Sequence, residues 1–185
     1  AAGAAEGLPG PLALQLAKRL PARSPLSRDH LQTVLRARTL DLEALQVPGG
    51  WHLRMDNRAW TVPAVESGPA NSRTAVLLLG DTGMRTLTAD ADRLAAAGNR
   101  VLAIDPFNIG ESKIATRDFL FAMLLSSVGE RPLGLQASQL VAAARWLRSQ
   151  PDVRTVRVEA HGRRGLTRRR AGRDRSGSAR AHRPR

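Results

Sequence analysis

The chain has no cysteine. Disulfide frameworks and thiolate metal sites are therefore excluded, and the redox character of its compartment is left open. It has no run of about 18 consecutive apolar residues, so no stretch reads as a membrane span. The opening segment, AAGAAEGLPGPLALQLAKRL, lacks a basic stretch ahead of its short apolar run. That argues against an intact secretory signal, and a leader already removed leaves no trace, so the reading is a soluble protein, cytoplasmic or exported. No segment repeats. Neither G-x-G-x-x-G nor G-x-x-x-x-G-K-[ST] occurs, which weighs against a small nucleotide-binding α/β protein.

The last 23 residues, 163–185, are short of almost everything a core needs: they hold ten arginines, one acid and one large aliphatic residue, Leu166. The formal net charge of +13 is concentrated there. The stretch carries +9, and residues 1–162 carry 19 basic against 15 acidic side chains, an ordinary +4. The basicity is thus no argument for a nucleic-acid-binding face on the remainder. With so little to bury, residues 163–185 are expected to be a disordered Arg-rich tail. Residues 1–28, rich in Ala, Leu, Gly and Pro, are expected to form a loose arm, and residues 29–162 the ordered domain.

Within that domain the pattern is α/β. Ser27 is a plausible N-cap for a helix to about Arg38, with Leu31, Val34 and Leu35 on one face. Pro48-Gly49-Gly50 is a turn, followed by two short strands around residues 51–55 and 59–65. Pro63 predicts that the second lies at an edge or carries a bulge. Residues 74–79 are a continuous apolar run of strand length, as in a strand buried on both faces, and Arg100-Val101-Leu102-Ala103-Ile104 reads as a second buried strand. A helix over 87–97 joins them, with Gly98 as its stop. Further helices are expected over 118–128 and from Pro132 to about Arg148, and Val153, Val156 and Val158 mark a third sheet strand.

Three loops follow these strands: Gly80-Asp81-Thr82-Gly83, then Asp105-Pro106-Phe107-Asn108-Ile109-Gly110-Glu111-Ser112, then Ala160-His161-Gly162-Arg163-Arg164. Their order and spacing over Trp51 to Gly162 resembles the α/β-hydrolases, in the branch of acetylxylan-esterase-like and peptidase-like enzymes. The resemblance implies a doubly wound, mostly parallel α/β sheet whose C-terminal half is missing here. It implies hydrolysis of a small ester or related acyl substrate through a serine acyl-enzyme, with no cofactor. It places an oxyanion-hole amide at Asp81 or Thr82, and it matches Asp105, Gly110 and Ser112 to the family's D-x-x-G-x-S loop, although four residues rather than two separate Asp105 from Gly110 here. Asp105 and Ser112 are read as structural, bonding their own loop, and Gly110 as a position of positive φ.

The third loop is where a nucleophile elbow, G-x-S-x-G, belongs. Its apex falls on Gly162, which has no nucleophile, flanked by His161 and Arg163, and Arg164 takes the last small-residue position. No strand pattern follows to bring an acid and a histidine. His161 reads as a surface residue, and Ser126 and Ser127 as back-bonded on an apolar helix. His30, His52, His161 and His182 share no ligand spacing, so no metal set is expected. The chain is therefore expected to lack the catalytic triad. A shift of reading frame just after His161 accounts for a basic tail that begins in mid-motif. The alternative is a non-enzymatic protein whose tail binds nucleic acid or another polyanion without sequence preference.

Overall fold

The computed structural model describes residues 27–162. Almost all of the expected arm and the whole Arg-rich tail lie outside the described residues. The elements, in chain order, are α1 (Arg28–Leu35), β1 (Leu42–Val47), β2 (Gly50–Met55), β3 (Trp60–Ser67), β4 (Thr74–Gly80), a 3-10 turn (Met84–Leu87), α2 (Thr88–Ala96), β5 (Arg100–Ile104), a second 3-10 turn (Gly110–Ser112), α3 (Asp118–Ser127), α4 (Pro132–Ser149) and β6 (Thr155–His161).

The six strands form one sheet in the order β1-β2-β3-β5-β4-β6. The sheet is mixed. β5, β4 and β6 run parallel, and β1, β2, β3 and β5 pair antiparallel. The apolar runs at β4 and β5 are explained by burial on both faces. From β4, Leu77 and Leu79 point into one core with Leu102 and Ile104 of β5 and Leu135, Leu140 and Leu147 of α4. Val76 and Leu78 point the other way, against Met84, Leu87 and Leu94, with Val101 and Ala103 of β5. Side chains alternate across a strand, so a strand between two helical layers must be apolar at every position.

Three local readings are corrected. α1 is capped by Ser27, whose Oγ accepts from His30 N at 3.1 Å, but it stops at Leu35 because Arg36 turns left-handed at φ 53°. Arg38, expected inside the helix, instead forms an ion pair with Asp56 at 2.8 Å and donates its backbone N–H to Ser138 Oγ. Strand β1 was not expected; it forms a hairpin with β2 through Pro48-Gly49, where Gly49 has φ 86°. Pro63 lies inside the sheet rather than at its edge, opposite His52 of β2. Its carbonyl accepts from Asp105 N, on the β5 side just past the last paired residues, Ala64 and Ile104. Carbonyl and amide of one strand residue face the same side, so the donor that proline lacks falls where pairing has ended.

Candidate active site

The first two expected loops leave the C-terminal ends of β4 and β5, and of the third, Ala160 and His161 belong to β6 with Gly162 following it; this is the end of a parallel sheet where ligands are usually bound. Asp105 ties the first two together. It is fully buried at the end of β5. Its Oδ1 accepts from Met84 N at 2.7 Å, at the start of the 3-10 turn after β4. Its Oδ2 accepts from Glu111 N at 2.8 Å, and its backbone carbonyl accepts from Ser112 Oγ at 2.6 Å. Burial pushes the Asp105 carboxyl above the usual carboxylate range, against the backbone N–H bonds from Glu111 and Met84, which favour the charge. The spacing D-x-x-x-x-G-x-S has a steric reason. Gly110 has φ 51°, and a Cβ there would fall onto Asp105 Oδ2. Gly83 is held the same way, with a Cβ directed at Gly110 Cα at 2.5 Å. Two glutamines of α4 fix the rest of the loop: Gln139 Oε1 accepts from Phe107 N at 2.8 Å, and Gln136 Nε2 donates to Phe107 O at 2.7 Å.

β6 leads to Gly162, the position expected for the elbow. Gly80 pairs with His161, and Asp81 N donates to His161 O at 3.2 Å. Gly162 follows at φ 95°. A Cβ built on it meets Asp81 Cγ and Oδ2 at 2.6 Å and Asp81 Cβ at 3.0 Å. Gly162 is therefore packed against the loop that follows β4. Thr82, next in that loop, is exposed, and its Oγ1 lies 2.6 Å from Thr86 Oγ1. Arg163 and Arg164 lie outside the described residues, as does His182.

His161 projects from β6 beside Glu159, on the side of the strand facing α2. Its Nε2 is 3.2 Å from Glu159 Oε1 and its Nδ1 3.5 Å from Asp90 Oδ2 in the first turn of α2. Arg93, one turn along, donates to Glu159 Oε1 at 2.9 Å and to Asp90 Oδ1 at 3.2 Å. Burial raises the Glu159 pKa, but the bonds from His161 and Arg93 outweigh it and hold that carboxyl below its usual range. This grouping was invisible in the sequence, because Asp90 and the β6 pair meet only through packing of α2 beside the sheet. His30 lies in α1 and His52 in β2. Ser127 is bonded back to its own helix, its Oγ donating to Leu124 O at 2.7 Å. A cavity of ≈ 440 Å³ lies between the β1–β2 turn, β3 and α2, lined by Trp51, His52, Val65, Met84, Arg85 and Glu111 among others. Neither Thr82, His161 nor Gly162 lines it.

No family model matches the sequence, and no curated protein matches it. Solved structures do resemble it. An acetyl xylan esterase candidate from Bacteroides fragilis superposes with a TM-score of 0.53 at 14% identity, over 76% of this chain and 46% of that one. An acetyl xylan esterase from Paenibacillus sp. R4 superposes with a TM-score of 0.50, also at 14% identity, over 85% of this chain and 59% of that one. The fold is that of the α/β-hydrolases. The chain spans about half the length of the hydrolases it resembles. In this hydrolase fold, β4 and β6 carry the loop that follows Gly80 and the turn at Gly162, and β5 carries the Asp105 loop between α2 and α3. Among the described residues no helix is long and apolar enough to cross a membrane.

Proposed function

We propose that this chain is a hydrolase-fold protein whose elbow is catalytically silent. An acyl hydrolase of this kind acts on a small ester through a serine at the elbow, without a cofactor, and a silent elbow has no turnover of its own. The observation that supports this reading is the contact between Gly162 and Asp81. The apex lacks a nucleophile, and the space a side chain there would need is taken by the Asp81 carboxyl. Asp81 also spends its amide on His161 O, which leaves the Thr82 amide as the better oxyanion donor. Ser112 and Asp105 are bonded to their own loop and serve as scaffold. The basic tail belongs to the same reading: decoding the gene in another frame just past His161 is expected to yield a small-residue elbow and later an acid and a histidine.

The test is hydrolysis of an activated aryl acetate by the purified chain, before and after Gly162→Ser. Both should stay at background, since a serine without a general base remains protonated and weakly nucleophilic. Robust turnover by the unmodified chain, lost in His161→Ala, would place the chemistry at a site other than the elbow.

A further inference from the structure

We infer that Asp90, Glu159 and His161 form a binding site for a divalent metal ion of the zinc type, pinning α2 to β6. One ligand atom from each residue lies within 4.8 Å of the other two. Glu159 and His161 are two apart on β6 and so share a face, and Asp90 reaches the same point from the first turn of α2. The imidazole lies 3.2 Å from Glu159 and 3.5 Å from Asp90, so both carboxylates are within reach of the ring at about the ligand–ligand spacing, roughly 3.3–3.4 Å, of a tetrahedron with metal–ligand bonds of about 2.0–2.1 Å. They involve the two different ring nitrogens, so the ring turns to offer one of them. The mixed donor set selects the ion: imidazole disfavours calcium and magnesium, which take oxygen, and suits zinc, cobalt and nickel. One neutral imidazole and two carboxylates neutralise the ion, and water completes its shell.

Arg93 is the competitor. Its guanidinium reaches both carboxylates, but its side chain is 57% exposed. Exposed ion pairs are weak because solvent screens them and both long side chains lose freedom. A metal ion bonded directly to both carboxylates and to the imidazole displaces it. Arg93 thus sets the affinity without belonging to the site. The inference is independent of the silence of the elbow, since no reacting group takes part.

The experiment uses the full chain, with zinc followed by calorimetry and by the rise in Tm, and cobalt followed by visible absorption. One ion per chain is expected, with the intense cobalt bands of a four-coordinate site. Arg93→Gln should tighten binding, and His161→Ala should weaken it at least about tenfold. Glu159→Gln, which keeps the imidazole, should weaken it as well and stands in should His161→Ala fail to fold. No saturable binding, binding unchanged in both ligand variants, or binding weakened by Arg93→Gln would overturn the inference.

Discussion

A Cβ on Gly162 would lie 2.6 Å from the carboxyl carbon of Asp81, and the glycine sits at φ 95°. Two penalties therefore meet at one residue, a crowded contact and a backbone conformation that side chains rarely adopt. Gly162→Ser should lower stability by about 1–3 kcal/mol. Asp81→Ala in the same chain should recover the crowding part and leave the backbone part. A double-mutant cycle in urea measures this. Purely additive losses would show that the two residues do not press on each other.

Asp105 makes stability depend on pH in the less common direction. Its folded pKa is raised, so the folded state holds its proton more firmly than the unfolded chain does. The contribution is fully present below the unfolded value, about 3.9, and is lost as pH rises through the raised folded value. Asp105→Asn should remove this component from the pH profile. It should also cost about 1–3 kcal/mol at neutral pH, because one of the amides of Met84 and Glu111 then faces an N–H instead of an oxygen. Denaturant midpoints from pH 3 to 7 test both; a profile unchanged by Asp105→Asn would assign the dependence to other groups.

Arg100 is buried at the start of β5 and pairs with Glu66 of β3, whose other oxygen accepts from Trp51 Nε1 at 2.9 Å. Glu66→Ala leaves the guanidinium buried without its counter-ion. The expected loss is about 3–5 kcal/mol, and it should change little with salt because the pair is shielded from solvent. Chemical denaturation at two ionic strengths distinguishes this from a surface pair, which would lose only about 0–1 kcal/mol and fade with salt.

The helix α3 exposes Phe119, Phe121, Met123 and Leu124, and Val128 follows directly after it. Apolar residues crowded on one element invite association. The chain is expected to self-associate with rising concentration and to bind a hydrophobic dye. Phe119→Glu with Met123→Glu should reduce both while moving the unfolding midpoint little, because neither side chain is in the core. Sedimentation velocity over a range of concentrations checks this.

The sequence carries the sheet where burial is complete. Residues 75–79 of β4 and 101–104 of β5 touch a helical layer on both sides, so each of these positions is apolar and no reading but strand or buried helix is open. It is mute where burial is partial. β1 keeps only Leu42 and Ala44 against the core and exposes Leu45, so LEALQV has no clean period of two. Pro63 misleads for a related reason: whether a strand's missing donor matters depends on where its neighbour stops, and that is fixed by β5, far along the chain. The contacts of the loop from Asp105 to Ser112 are local, Asp105 to Glu111 and Ser112, and so lie within reach of a sequence reading. The crowding of Gly162 by Asp81 and the meeting of Asp90 with His161 do not, since each joins loops or elements that only the β4–β6 pairing and the packing of α2 bring together.

The two amides bonded to Asp105, those of Met84 and Glu111, belong to different loops but answer to one carboxylate. Neither loop can leave its place without stranding a buried charge or a buried N–H. In hydrogen exchange the two amides should consequently open as one unit, with a common free energy, although 3-10 turns at the rim of a sheet usually fray separately. The two loops at this rim are thus expected to move as one body.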